Sequence, residues 1–227
     1  MTRASREVAP VADSALALAR RVVAAGSTEP VGDREADTLL YVASGAGSIS
    51  LGKTNALAPR SAALVPAGEK ATIGADDDLE LVVMTVGSAV DRHAPMGRPV
   101  LTASLDDTSP QQATGARSFQ ILFDASNGST RATLFAGFVP PGRAPWHYHL
   151  YDEIVWVPEG PGRLHIGESV EELGPGSAFR LRPREVHIVE NTNTERELTI
   201  VGLFTPAGSP SAAYLTPEVA AEYRFSG

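Results

Sequence analysis

Two histidines separated by a single residue, His147 and His149, are the first feature of this sequence that could do chemistry. On a β-strand, side chains two positions apart share a face, so both imidazoles point the same way and can bind one metal ion. Glu153 follows soon after and could return a carboxylate to the same ion from just beyond a tight turn. This segment indicates a metal site that needs one more ligand from elsewhere in the chain.

His187 offers that further ligand, because it follows a proline turn at the start of another predicted strand. At this point the pattern resembles the two motifs of the cupin superfamily. Gly142, the two neighbouring histidines, Glu153 and Gly160 correspond to the first motif, with a first spacer one residue shorter than usual. His187 and Asn191 correspond to the end of the second motif.

The second motif departs from the family pattern before its histidine, where Arg182 and Arg184 displace the usual proline and glycine. The distance from Gly176 to His187 nevertheless matches the family. The resemblance therefore implies a jelly-roll β-barrel that binds metal through four residues, namely His147, His149, Glu153 and His187.

A site of three histidines and one glutamate leaves an octahedral ion with two open positions for water, dioxygen or a bidentate substrate. These ligands suit one divalent transition metal, Fe, Mn, Ni or Zn, and favour no single one of them. As a Lewis acid the ion could polarise a carbonyl and support isomerisation, decarboxylation or hydrolysis. With Fe(II) the site could instead be a dioxygenase. We therefore expect an enzyme for a small oxygen-rich metabolite, a carbonyl or carboxylate compound, with isomerase and dioxygenase chemistry both open.

An internal repeat describes the whole chain. Gly45 and Gly47, between two strand-like runs, match Gly160 and Gly162 at a shift of 115 residues. A second block, residues 57–71, matches residues 173–187 at a shift of 116. Each half is thus predicted to be the same all-β unit, which gives two tandem cupin barrels. The predicted domains are residues 1–90, a linker at 91–115 rich in Pro, Asp, Thr and Ser, and residues 116–227.

In the first half, the positions that match the four ligands hold Gly32, Arg34, Thr38 and Ala71. None of these side chains is a suitable ligand for a transition metal. We therefore expect a degenerate N-terminal barrel without metal, kept for folding and for packing.

Short apolar runs bounded by turn residues predict further strands at residues 15–25, 118–123 and 132–139. The only helix that the sequence predicts begins after Thr216, where an N-cap residue is followed by Pro217 and by Glu218 in the first turn. It is short and C-terminal.

Four residues near the motif are candidates for a catalytic role: Tyr151, His165, Arg180 and Arg182. Tyr151 and His165 could reach the cavity as a general base, although His165 fits a surface or cavity-wall position as well. The two arginines share one face of a strand. If that face turns inward, the substrate is a carboxylate or phosphate; if it turns outward, both are solvated charges.

Composition restricts the partners. The net charge is -8 and no basic cluster stands out, which argues against nucleic acid and leaves a small molecule as the expected partner. The sequence has no cysteine, which leaves the redox compartment undetermined. Its apolar runs are too short for a membrane helix, so we expect a cytoplasmic protein. A homodimer that pairs through edge strands is plausible. The alternative to an enzyme is a metal-containing binding or storage protein without activity.

Overall fold

The computed structural model describes residues 14–113 and 115–222, and the chain divides into two compact units. The N-terminal unit contains the chain up to Ser109 together with Ile121–Leu134 and Leu203–Gly208. The C-terminal unit contains Pro110–Gln120, Phe135–Gly202 and the chain from Ser209. The N-terminal unit includes segments from both sides of the predicted linker, and the C-terminal unit begins inside it. The domain bounds at 90 and 115 stay a prediction.

The N-terminal unit is built from two antiparallel sheets. Their strands are β1 (Leu16–Val23), β2 (Thr28–Val31), β3 (Ala36–Ser44), β4 (Gly47–Leu51), β5 (Lys53–Leu57), β6 (Ser61–Val65), β7 (Ala71–Ala75), β8 (Leu79–Gly87) and β9 (Thr102–Ser104). The first sheet has the order β1-β8-β3-β6-β9 and the second has the order β2-β7-β4-β5. A short 3-10 helix, Leu105–Asp107, follows β9.

Alternation of side chains places the core of this unit between its sheets. In β7, Ala71, Ile73 and Ala75 are buried whereas Thr72 is exposed. The buried residues of β7 pack with aliphatic side chains from the other strands, such as Val31, into one apolar cluster. The inside of the unit is therefore filled by hydrocarbon.

The C-terminal unit begins near β10 (Gln111–Gln112), and three strands of this part of the chain, β11, β12 and β20, have residues in both units. The elements are β11 (Ser118–Phe123), β12 (Thr133–Val139), β13 (Gly142–Arg143), β14 (His147–Tyr148), β15 (Asp152–Trp156), β16 (Gly162–Ile166), β17 (Ser169–Leu173), β18 (Ala178–Leu181), β19 (His187–Asn191), β20 (Leu198–Thr205), β21 (Tyr214–Leu215) and α1 (Pro217–Glu222). One sheet has the order β10-β11-β12-β20-β15-β18, and the other has the order β17-β16-β19-β14-β21, with β13 also on β19.

These sheets confirm the predicted fold class, an all-β chain of two tandem jelly-roll barrels with one short C-terminal helix. The strands predicted at residues 15–25, 118–123 and 132–139 are β1, β11 and β12, and the predicted helix is α1. No helix in residues 14–113 or 115–222 is long and apolar enough to cross a membrane.

The ladders of the two units share a register. In the N-terminal unit Thr38 pairs with Val65, and in the C-terminal unit Glu153 pairs with Leu181. These pairs are related by the shifts of 115 and 116 residues that the sequence repeat indicates, since 153 less 38 is 115 and 181 less 65 is 116. The repeat is therefore present in the hydrogen-bonded pairing as well as in the glycine pattern.

At one place the register corrects the sequence comparison. His147 pairs with His187, whereas Ala71, which matches His187, pairs with Val31. Val31 and not Gly32 therefore holds the position of His147. The cause is the connection from β2 to β3, which is one residue longer than the connection from β14 to β15, so a comparison without gaps shifts the match by one.

Candidate metal centre

Three histidines meet inside the C-terminal unit. His147 in β14 and His187 in β19 face each other across an antiparallel ladder, and His149 follows directly after β14. The ring centroids of His147 and His187 are 4.4 Å apart, and that of His149 lies 5.2 Å and 4.8 Å from them. All three side chains are buried. The structure thus brings together the histidines that the sequence motif names.

Backbone carbonyls set the orientation of two of these rings. The Nδ1 atom of His147 lies 2.8 Å from the carbonyl oxygen of Pro145, and that of His187 lies 2.8 Å from the carbonyl oxygen of Glu185. Since a carbonyl can only accept, each Nδ1 carries the proton and donates it. Each Nε2 then has a lone pair and no proton, which is the form of imidazole that binds a metal ion.

Burial keeps these rings neutral. It lowers the pKa of His147 to about 2, with a further contribution from the positive charge of Arg117 and from the neighbouring histidines. Burial, helped by His149, likewise lowers the pKa of His187 to about 3. At neutral pH a metal ion therefore has no bound proton to displace from either Nε2 atom.

Glu153 lies in β15 beside this cluster and is buried. Its Oε2 atom is 3.1 Å from Nδ1 of His149, but the two groups are not oriented to form a hydrogen bond. Neither atom has another hydrogen-bond partner among the described residues. A buried carboxylate oxygen and a buried imidazole nitrogen without partners are costly, and a shared cation would satisfy them.

Gly202 gives Glu153 its space. A Cβ atom at position 202 would lie 2.9 Å from Oε1 of Glu153 and 2.5 Å from Cε1 of Phe135. Both distances are too short for a real side chain, so a glycine is required where β20 passes behind the carboxylate. The sequence motif gives no sign of this residue, because the requirement comes from close packing between strands.

The donor set fits one divalent ion. One potential ligand atom from each histidine lies within 4.8 Å of the others. Neighbouring ligands on an octahedral ion with bonds near 2.1 Å stand about 3 Å apart, so small side-chain rotations would bring the rings together. Three neutral nitrogens with one carboxylate are ligands that Mn(II), Fe(II), Ni(II) and Zn(II) accept. The residues present therefore fit the metal that the motif implies.

A cavity of about 60 Å³ opens beside the histidines. Its walls are mainly aromatic and aliphatic, and its charged lining residues are Glu153 and Arg117. Tyr151 also lines it, buried, with its ring stacked on that of His149 at 4.5 Å. Burial and the nearby charge of Glu153 raise the pKa of Tyr151, so its hydroxyl holds its proton at neutral pH.

The other three candidates do not line this cavity. Arg180 donates to both carboxylate oxygens of Asp152 at 2.7 and 2.8 Å, and Arg182 is largely exposed. Leu181, between them, lines the cavity, so the face of the two arginines turns away from it. His165 lies 2.6 Å from a carboxylate oxygen of Glu190 on the outer side of its sheet. Of the four candidates the structure brings only Tyr151 to the site.

Arg117 is a site residue that sequence reasoning missed. It directly precedes β11, and its Nη1 atom lies 3.0 Å from Nε2 of His147. Its backbone oxygen accepts hydrogen bonds from the backbone of Ala113 and the side chain of Gln112, each at 2.9 Å. Arg117 lies thirty positions before His147 in a stretch without a motif, so only the fold reveals their proximity.

Fold and site together define a jelly-roll β-barrel protein with a buried three-histidine cluster. The family model described as "Cupin domain" matches residues 135–204, which include all four predicted ligands. Residues 135–204 of this chain therefore match the cupin domain family.

Two similar sequences are L-ectoine synthases, from Rhodococcus opacus (strain B4) and Rhodococcus jostii (strain RHA1). Each is 40% identical over 63 residues, which is 27% of this chain and 46% of the synthase. The match thus spans less than half the length of these relatives.

Among solved structures, a mutant of oxalate decarboxylase from Bacillus subtilis matches 89% of this chain and 71% of its own, with a TM-score of 0.73 and 14% identity. Another structure of that enzyme is described by its Mn(II) centres. AerE from Microcystis aeruginosa matches 85% of this chain and 88% of its own, with a TM-score of 0.68 and 12% identity. At these identities the likeness establishes the fold.

Proposed function

We propose that this chain is a metal-dependent enzyme that acts on a small oxygen-rich metabolite, a carbonyl or carboxylate compound, in its C-terminal barrel. One divalent transition metal would be bound by His147, His149, Glu153 and His187. The observation that carries this proposal is the convergence of three buried imidazoles and a buried carboxylate beside one cavity. The similar proteins add support, because oxalate decarboxylase and L-ectoine synthase are enzymes.

Isomerase chemistry is the reaction type that the cavity favours. When bound, a divalent ion would polarise a substrate carbonyl and so acidify the neighbouring carbon, whose proton would pass to a base from the buffer. Tyr151 presents a protonated hydroxyl to the same cavity and stacks on His149, so it is placed to give a proton to the substrate. The walls are largely apolar, and a low local dielectric strengthens the interaction of these groups with the substrate.

Dioxygenase chemistry is the second candidate, and the same apolar walls favour it because dioxygen is an apolar molecule. Manganese or iron is the metal we would load first, and the Mn(II) centres of the structurally similar oxalate decarboxylase agree with this choice. The alternative without catalysis is a binding or storage protein that keeps the ion.

Deuterium exchange separates these functions. Protein loaded with Mn(II) is incubated under argon in D₂O with a small 2-oxo acid such as 2-oxobutyrate, and exchange beside the carbonyl is followed by NMR. We expect exchange that depends on metal and falls roughly a hundredfold or more in Tyr151→Phe, the scale of a lost proton donor. Tyr148→Phe is the matched control, because Tyr148 stacks on Tyr214 and does not line the cavity.

Other outcomes would favour the alternatives. Oxygen uptake by Fe(II)-loaded protein with an enol or diketone, without exchange under argon, would support the dioxygenase. Neither exchange nor oxygen uptake across such substrates would support the binding protein and contradict the proposed enzyme.

We also propose that the N-terminal barrel binds no metal and serves folding and packing. Small molecules, and neither nucleic acid nor membrane, are the partners we propose, in a cytoplasmic protein that could pair as a homodimer. The metal content per chain tests whether the N-terminal barrel binds no metal. The mass of the protein in solution tests whether it is a homodimer.

A further inference from the structure

A short segment outside the sheets, residues 209–213 between β20 and β21, contributes to the wall of the metal cavity, and we call it the strap. It exposes three side chains to solvent, those of Ser209, Ser211 and Ala212. Pro210 and Ala213 are half-buried and line the cavity. The strap therefore presents an outer face to solvent and an inner face of two apolar side chains to the cavity.

The pairing of β21 with β14 places Ala213 across from one of the proposed metal ligands. Tyr148 pairs with Tyr214, and their rings stack with centroids 5.5 Å apart. Continued by one residue, this antiparallel register sets His149 opposite Ala213. Since side chains alternate between faces, the two tyrosines point to one face while His149 and Ala213 point to the other, where both line the cavity. The methyl group of Ala213 thus lies where a cross-strand neighbour of His149 would lie.

Hydrogen bonds within the strap fix the position of its inner face. The backbone N–H of Ala212 donates to the carbonyl oxygen of Ser209 at 3.1 Å, and that of Ala213 donates to the carbonyl oxygen of Ser211 at 2.8 Å. The ring of Pro210 restricts the backbone further. The space at this side of the cavity therefore depends on the side chain that position 213 carries.

The cavity is small enough for one side chain to matter. Its volume of about 60 Å³ holds roughly four to six water-sized groups. Large apolar side chains from one sheet form other parts of its wall, among them Phe119, Phe135 and Leu181. A valine at position 213 would add two methyl groups to the space beside His149. Such an addition would take up a large part of the room that a substrate needs.

We propose that Ala213 sets the size of the substrate that binds beside the metal, and limits it to a compact carbonyl or carboxylate compound with a chain of about three or four carbon atoms. This inference rests on the proposed function, because the substrate is held between the strap and the bound ion. It deepens that function by assigning selection for length to a residue that is not a metal ligand.

Binding of a homologous series tests this without any need for turnover. Protein loaded with Mn(II) is titrated calorimetrically under argon with pyruvate, 2-oxobutyrate, 2-oxopentanoate and 2-oxohexanoate, each longer than the last by one methylene group. We expect the parent to bind 2-oxobutyrate at least tenfold more tightly than 2-oxohexanoate, because the longer chain overfills the cavity. In Ala213→Val we expect 2-oxobutyrate to bind about tenfold or more weakly than in the parent, with pyruvate little changed.

Two further variants complete the test. Ala213→Gly removes a methyl group and should shift the series the other way, so that 2-oxopentanoate binds more tightly than it does to the parent. This variant also gives a reading if Ala213→Val fails to fold. Ala212→Val is the matched control, because it makes the same change at the neighbouring, exposed position and should reproduce the series of the parent.

The same relative affinities in the parent and in both Ala213 variants would overturn the proposal. So would a parent that binds 2-oxohexanoate as tightly as 2-oxobutyrate, a metal-loaded parent that binds none of the four acids, or an Ala212→Val protein that shifts the series as far as Ala213→Val does. Failure of the proposed function gives a different result. The parent protein then takes up no Mn(II), which is measured before any acid is added, and the role of Ala213 falls with it.

Discussion

The two units of this chain place different chemistry on equivalent positions of one ladder. Where the C-terminal unit pairs His147 with His187, the N-terminal unit pairs Val31 with Ala71, and both of these residues belong to the apolar core. Where the C-terminal unit has Glu153, the N-terminal unit has Thr38. The barrel is thus stable with or without a polar interior. The proposed metal site depends on a few inward-facing positions that differ between two otherwise similar barrels.

The difference also shows what a polar interior requires. In the C-terminal unit the histidines depend on backbone carbonyls at Pro145 and Glu185 to fix their protons, and Glu153 depends on the space left by Gly202. The N-terminal core needs none of these features, because aliphatic side chains have no protons to orient and no charges to compensate. Predictions that separate the units follow, with the largest effect first.

Replacement of both His147 and His149 by Ala should abolish metal binding. These residues are two of the four proposed ligands, so we expect bound metal, measured by plasma mass spectrometry after loading with Mn(II), to fall at least tenfold. The matched control is His93→Ala, which removes an exposed histidine of the N-terminal unit. Undiminished metal in the double variant would place the site elsewhere.

Ile73→Ala should lower stability and leave the metal in place. Ile73 is fully buried in the N-terminal core, so its truncation should reduce the free energy of unfolding by about 2–5 kcal/mol in urea titrations. Thr72→Ala, at the exposed neighbouring position, should have little effect. A loss of metal from folded Ile73→Ala would break the separation of the two units.

Acid should destabilise the metal-free protein through the C-terminal histidines. The pKa values of His147 and His187 are about 2 and 3 in the folded state, below the ordinary value of 6.5. The unfolded chain therefore binds protons first, and stability that is present above pH 6.5 is lost as the pH falls towards 3. Each histidine contributes up to about 1.4 kcal/mol per pH unit in that window.

The check is the slope of unfolding free energy against pH between 6.5 and 4.5. It should be smaller in His187→Ala than in the parent, whereas His93→Ala should keep the slope of the parent. Equal slopes in all three proteins would contradict neutral, buried histidines.

Gly202→Ala should weaken the metal site by a smaller amount. The added Cβ would press on Glu153 and Phe135, so we expect a few-fold loss of Mn(II) affinity in a competition titration with a chelator. Gly174→Ala is the matched control, because nothing lies within 4 Å of its Cβ position. Unchanged affinity in Gly202→Ala would show that Glu153 needs no such space.

The sequence allows the frame and the histidine cluster to be predicted, because both depend on local patterns. Glycines at fixed spacing mark the turns of both barrels, and alternation along a strand puts His147 and His149 on one side. Other features depend on contacts between distant segments. Arg117 reaches His147 from thirty residues away, and Gly202 matters only because Phe135 and Glu153 come close to it.

Two points could be decided only from the structure, for physical reasons of a similar kind. Alternation places Arg180 and Arg182 on one face of a strand but cannot say whether that face is inside the barrel. In the structure the face lies outside the cavity, where the carboxylate of Asp152 binds the guanidinium of Arg180. The match of Gly32 to His147 missed a longer connection in the first barrel, which only the ladder of Val31 with Ala71 reveals.

The position of the metal is the most direct test of the proposed site. Crystals of protein loaded with Mn(II) can be measured at the manganese absorption edge, where anomalous scattering marks the ion. We predict one peak per chain, in the C-terminal unit, within bonding distance of His147, His149, Glu153 and His187. No peak at these residues, or one of equal strength in the N-terminal unit, would contradict the proposed metal centre.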